Sequence, residues 1–170
     1  MRIGVLSDTH QNVRLARDAL QLISPLDFFL HLGDYVEDAR VLSRVTGIPC
    51  RFVKGNGDVA QRGPRELSFT LWGTRIWAIH GDQFDEGGTI DEEILLLEAR
   101  KIRAQVVLFG HSHVQVCRVT EGIHLLNPGH MMISSEHGTL GVLTLSPQGG
   151  IKAELLQFPN TYRYRPPGPL

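Results

Sequence analysis

The sequence predicts an α/β domain that combines a parallel, helix-crossed sheet with a second, mostly antiparallel sheet. Three observations lead there. In the first 54 residues, apolar strand-like runs alternate with segments whose apolar residues recur at helical spacing, the pattern of β-α-β crossovers. Past residue 109 the chain turns to β stretches with no helical segment between them. The composition is that of one globular unit: 170 residues, 42% hydrophobic and 21% charged, without internal repeat or interdomain linker, enough to bury a core.

The first strand is expected over residues 2–7, "RIGVLS", a continuous apolar run. A helix follows over 12–23 with Asn12 as its cap, since its apolar residues fall on one helical face. Residues 27–32 form the second strand, 36–46 a short amphipathic helix and 49–54 the third strand. Residues 66–80 read as a hairpin turning at Gly73 and Thr74. A helix is expected over 89–102, opened by a capping box of Thr89 and Glu92. Residues 105–109, "QVVLF", form a fourth buried strand. The stretches 114–119, 123–126, 139–145 and 150–157 supply the second sheet. A single domain over 1–158 is expected, with 159–170 as a Pro- and Gly-rich extension.

The formal net charge of -1 gives no basic field to gather nucleic acid. The N-terminus reads as a strand running into polar residues, not a signal peptide, and no apolar run approaches the ~20 residues of a membrane helix. A soluble cytoplasmic protein is expected. Cys50 and Cys117 lie in apolar strand-like stretches and are expected as buried free thiols. The oligomeric state is open, a homo-oligomer included.

The polar residues cluster just past predicted strands. Asp8 and His10 follow the first strand, Asp34 the second, and Asn56 and Asp58 the third. His80 ends the hairpin, and His111 and His113 follow "QVVLF". In α/β sheets the carboxyl edge is where ligands bind. Asp8/His10 and His111/His113 are i, i+2 pairs, which project to one side if strand geometry continues. Imidazoles and carboxylates without thiolates suit manganese, iron, zinc, cobalt or nickel. Seven protein ligands divide over two ions, and two ions ~3.5–4 Å apart form a clamp for phosphate-ester hydrolysis.

The ordered motifs D-x-H, G-D, G-N-x-D, H-G and G-H-x-H resemble those of the calcineurin-like metallophosphoesterase superfamily. Size and the "GNxD" form resemble its compact YfcE-like phosphodiesterase branch. The resemblance covers residues 1–145 and implies a two-sheet αβ sandwich, mixed sheets flanked by helices. It implies that Asp8, His10 and His113 hold one ion, that Asn56, His80 and His111 hold the other, and that Asp34 bridges them. It further implies a hydroxide shared by the ions attacking a small phosphodiester. A phosphomonoesterase or nuclease with the same centre, or a non-catalytic scaffold of the same fold, is the alternative. Asn56 is also a candidate donor to the phosphate.

Three positions depart from the family pattern. Gly57 stands where many members carry a histidine that protonates the leaving group. Asp82 stands in "HGD" where the compact branch often has "HGH". "NPGH" puts His130 where "NPGS" is more usual, so His130 is a candidate for packing or for contact with the leaving group. Arg62 and Arg65 are candidates for gripping phosphate. Asp58 reads as a turn or cap residue, or as an acceptor orienting a histidine. His31 reads as a core or edge histidine, His124 and His137 as surface residues. Gly33, Gly55, Gly81 and Gly110 read as tight turns that let backbone approach the ions.

Overall fold

The computed structural model describes residues 1–162. Among them, two five-stranded sheets face each other and three α-helices lie outside. In chain order these are β1 (Arg2–Leu6), α1 (Val13–Leu22), β2 (Phe28–His31), α2 (Val36–Thr46), β3 (Cys50–Phe52), β4 (Glu66–Leu71), β5 (Thr74–Ile79), α3 (Glu92–Lys101), β6 (Val106–Leu108), β7 (Val116–Thr120), β8 (Ile123–Asn127), β9 (His137–Leu145) and β10 (Ile151–Pro159). A single 3-10 turn, Asp82–Phe84, follows β5.

The sheet orders are β10-β9-β1-β2-β3 and β4-β5-β6-β8-β7. This corrects the expected partition. The late strands do not form a separate antiparallel sheet: β9 and β10 join the first sheet, β9 antiparallel to β1, while β7 and β8 join the second, β8 parallel to β6. Both sheets are therefore mixed. Alternation of side chains says that a segment is a strand, but β8 and β9 are buried on both faces while β7 and β10 are partly exposed, and neither pattern says which neighbour a strand pairs with.

The central strands are buried on both faces by four-layer stacking of helices, sheet, sheet and helix. Ile3, Val5, Leu30 and Leu32 of the first sheet pack against Ile76, Ala78, Val106 and Leu108 of the second. The opposite face of the first sheet, with Leu6, Phe29, Leu140 and Val142, packs on Leu15, Ala19 and Leu20 of α1 and on Ala39 and Leu42 of α2. The outer face of the second, with Trp77, Ile79 and Val107, packs on Leu95, Leu96 and Ala99 of α3. Val5 and Leu6 illustrate the period of two, one side chain to each layer.

Several local expectations shift. The hairpin turns at Trp72 and Gly73, with φ of 47° and 81°, two left-handed residues as a two-residue hairpin loop requires; Thr74 is already paired with Leu71. The capping box is not formed. Asp85 and Ile90 make an isolated β-bridge, which keeps this segment extended, and Asp91 caps α3 by accepting the Ile94 N–H at 3.0 Å. Asn12 stands at the start of α1 but its side chain makes no cap bond. Both cysteines are free; Cys50 is half-buried, its thiol pushed up to about 12 by burial, whereas Cys117 is exposed, on the outward side of β7. His137 is exposed but His124 is half-buried. After β10, the Asn160 amide donates to the carbonyls of Met132, Ile133 and Ser135 at 3.3, 3.1 and 2.9 Å, and the Tyr162 hydroxyl bonds Asp18 of α1. Positions 163–170 of the expected extension lie outside the described residues.

His31 is 0% exposed at the end of β2, as a core histidine should be. Burial pushes its pKa down from 6.5 to about 4, so it is neutral at pH 7. The unfolded chain takes up a proton near 6.5, the folded chain only near 4, and stability is lost as pH falls through that window. At about 1.4 kcal/mol per pH unit, the loss is about 3 kcal/mol. Urea unfolding at pH 7 and pH 4.5 is expected to show it, and His31→Gln should remove most of the difference. An equal pH dependence in the variant would place the titration elsewhere.

Candidate metal centre

The loops after β1, β2, β3, β5 and β6 meet at one edge of the sandwich. They are tied together by backbone: the Asp8 N–H donates to the Gly33 carbonyl at 3.1 Å and the Gly110 N–H to that of His80 at 2.7 Å. The seven residues singled out by the sequence, Asp8, His10, Asp34, Asn56, His80, His111 and His113, all stand on these loops.

They do not arrive there as continued strands. Asp8, His10, Asp34, His111 and His113 have φ of 52°, 44°, 52°, 66° and 58°, the left-handed region that non-glycine residues avoid. The expectation that each i, i+2 pair projects together fails for His111 and His113, which turn to different partners. The His111 Nδ1 lies 3.3 Å from the His80 Nε2, and the His113 Nε2 lies 3.2 Å from the Asp8 Oδ1. Strain of this kind persists where the surroundings over-determine it, and it clusters at functional sites.

Asp8 is fully buried. Its Oδ2 accepts from the Ser7 hydroxyl at 2.5 Å and the His111 N–H at 3.1 Å. That leaves Oδ1 facing the His113 Nε2 at 3.2 Å and the His10 Nε2 at 3.9 Å. Burial alone would raise the Asp8 pKa, but the His113 hydrogen bond, the nearby His80 and the Ser7 hydroxyl hold it below its ordinary value. The same hydrogen bond raises that of His113.

His80, also fully buried, fixes the other half. Its Nδ1 lies 2.8 Å from the Leu32 carbonyl. A carbonyl only accepts, so Nδ1 carries a proton, which leaves Nε2 as the ring's ligand atom. That nitrogen faces the Asn56 Oδ1 at 3.0 Å and the Asp34 Oδ1 at 3.5 Å. A cation among these three atoms would be held by all of them. The His10 Nε2 is likewise buried without a partner. Asp8, His10 and His113 offer ligand atoms within 4.8 Å of one another, and so do Asp8, Asp34 and His80. Asn56 and His111 flank the second group through His80. This hard, mixed N and O donor set fits divalent metal.

Two glycines are required here. A Cβ on Gly55 would collide with the Asp34 carboxylate. Gly33, at φ 104°, would put a Cβ 2.6 Å from the Gly55 nitrogen.

Residues 1–149 match the Calcineurin-like phosphoesterase superfamily domain. The chain belongs to the calcineurin-like phosphoesterase superfamily. A probable metallophosphoesterase of Methanothermobacter thermautotrophicus is 32% identical over 134 residues, 76% of each chain. A phosphodiesterase of Methanocaldococcus jannaschii is 20% identical over 146 residues, 76% of this chain and 83% of its own. Among solved structures, zinc-bound Vps29 of Entamoeba histolytica superposes with a TM-score of 0.71 at 20% identity, covering 92% of this chain and 99% of that one. The observed two-sheet sandwich is the superfamily's fold, and metallophosphoesterase is the chain's class.

For this metallophosphoesterase the rim positions separate into several kinds. Asp58 accepts the Val36 and Gly55 N–H groups at 2.9 and 3.0 Å; it joins the Asn56 loop to the start of α2 and orients no histidine. Arg65 pairs with Asp82 at 2.5 Å and reaches the Gly55 carbonyl at 3.4 Å, beside the Asn56 loop. Arg62 is exposed and its carbonyl accepts from Arg40 at 3.2 Å. His130 is half-buried, its ring 5.3 Å from that of His113. At Gly57 a Cβ would stand 3.0 Å from the Asp34 Oδ1, so a side chain at this position would begin at the centre, and glycine supplies none.

Three contributors escaped the sequence reading. Ser7 orients Asp8. Buried Asn127 donates to the Gly110 carbonyl at 2.9 Å and the Ser112 hydroxyl at 3.2 Å, fixing the loop of both histidines. The Asp85 Oδ2 lies 3.5 Å from the His111 Nε2. Ser7 and Asn127 adjoin recognised motifs and could have been suspected; Asp85 sits in an acidic loop with no pattern to mark it.

Proposed function

We propose that this metallophosphoesterase hydrolyses a small phosphodiester with two divalent transition-metal ions, manganese by preference. The convergence of the His80 Nε2 with the oxygens of Asn56 and Asp34, next to the Asp8–His10–His113 group, carries the reading. Asp8, His10 and His113 would hold one ion and Asn56, His80 and His111 the other, with Asp34 between them. Bound ions supply an acidified water as nucleophile and neutralise charge on the phosphoryl oxygens. The chain's own part is to keep Asp8 ionised, to hold the His80 tautomer through Leu32, and to exclude competing geometries by strained loops. With its Oδ1 turned to His80, Asn56 keeps its amide N–H groups for a phosphoryl oxygen. Free thiols at Cys50 and Cys117 suit a reducing cytoplasm, and no helix among the described residues is long and apolar enough to cross a membrane.

The test is a panel of nitrophenyl mono- and diesters and cyclic nucleotides on metal-stripped protein refilled with manganese, iron, zinc, cobalt or nickel. Metal analysis of the refilled protein is expected to approach two ions per chain. A stoichiometry of one with full activity would overturn the two-ion reading. Bound metal without hydrolysis of any ester would favour a scaffold of the same fold.

A further inference from the structure

We propose that Thr9, His31 and Asp38 form a positioning brace that sets Asp8 and His10 against Asp34. This rests on the metal-dependent reading above. All three residues are buried, Thr9 and His31 at 0% exposure and Asp38 at 7%. Their hydrogen bonds run in one direction only. The Gly33 N–H donates to the His31 Nδ1 at 3.3 Å, so the neutral ring carries its proton on Nε2. That Nε2 donates to the Thr9 hydroxyl at 3.0 Å, and the hydroxyl donates to the Asp38 Oδ2 at 2.6 Å. The same carboxylate oxygen accepts the Gln11 N–H at 2.8 Å.

Placement separates this network from ordinary core polarity. The Asp38 Oδ2 holds the Thr9 side chain and the Gln11 backbone, the two neighbours of His10. His31 holds Gly33, the neighbour of Asp34. The brace thus grips both flanks of His10 and one flank each of Asp8 and Asp34, through their neighbours and not through their side chains. It also lies where restraint is needed, because Asp8, His10 and Gln11 have φ of 52°, 44° and 67°, and Asp34 and Tyr35 have 52° and 72°. Left to itself this backbone relaxes, and a strained loop persists only when its surroundings fix it. An apolar residue would fill the His31 position on β2 without burying a polar ring; what it could not do is hold Thr9.

Isothermal titration of the metal-stripped full chain with manganese alone tests the brace. The wild type is expected to take up two ions. Thr9→Val, which keeps the shape and loses the hydroxyl, should weaken one of them by about 10–100-fold, the usual cost of losing an outer-sphere partner, and leave the other near its wild-type affinity. Thr9→Ser should restore binding. If Thr9→Val does not fold, Asp38→Asn, which keeps an acceptor but loses the charge, should weaken the same ion. Unchanged affinities for both ions in a folded Thr9→Val or Asp38→Asn, or an equal loss at both, would overturn the brace. A wild-type chain that binds no manganese would instead overturn the metal-dependent reading itself.

Discussion

Replacing Asn56 or His80 by alanine is expected to lower hydrolysis of an activated phosphodiester by roughly 10²–10³-fold, the scale of losing one charge-stabilising group in an active site. Each variant should retain about one ion where the wild type holds two. His80 is the hub of its half of the centre: its Nε2 lies 3.0, 3.3 and 3.5 Å from Asn56, His111 and Asp34. The Asp8–His10–His113 group keeps all three of its side chains in either variant, so its ion should stay. The two substitutions differ in side effects. His80→Ala also strips the Leu32 carbonyl of its donor inside the core, a cost of about 1–3 kcal/mol. Asn56 is exposed, and its removal leaves His80 anchored. Asn56→Ala is therefore the cleaner probe, and melting curves of the metal-free proteins should separate the two. Full diesterase activity in either variant would end the two-ion mechanism.

The gathering of the seven candidate residues was legible because each follows an apolar strand run, and the sheet edge brings those run ends together whatever the strand pairing. Asp8, Asp34, His80 and His111 needed only their position after a strand. Pairing was not legible: β9 and β10 look like any late β segment, and only the packed structure puts them beside β1. The conformation of the loops was hidden for a different reason. Spacing suggested that His111 and His113 project together, but left-handed backbone at both sends one to His80 and the other to Asp8. The brace was hidden as well. His31 reads as one more residue of an apolar strand, and nothing in "SDTH" says that Thr9 turns inward to meet it. Asp82 reads as a departure from a histidine pattern, and the structure shows it held by Arg65. That pairing keeps the guanidinium beside the Asn56 loop while offsetting part of the charge that a phosphate would use.

The missing acid at Gly57 has a kinetic consequence. Protonating the leaving oxygen by a positioned group is typically worth ~10²–10⁴-fold in rate. Glycine offers no such group, so nitrophenyl diesters, whose leaving oxygens need no proton, are expected to react far faster than alkyl diesters. His130 is the residue of the "NPGH" loop that can fill the gap. Its Nδ1 accepts the Met132 N–H at 3.4 Å, which puts the neutral ring's proton on Nε2. Burial, and then repulsion from His113, hold its pKa below 6.5. Acid catalysis needs the imidazolium, so if His130 supplies the proton, the alkyl-ester rate should fall as pH rises through that depressed value. His130→Ala should then slow alkyl esters by the acid's ~10²–10⁴-fold, leave aryl esters nearly unchanged and remove that limb of the pH profile. If His130 only packs against His113, both ester classes should slow equally or not at all. Rates measured against leaving-group pKa for wild type and His130→Ala decide between these outcomes. A flat dependence in both proteins would show that another residue delivers the proton, and that the glycine at position 57 costs the enzyme nothing.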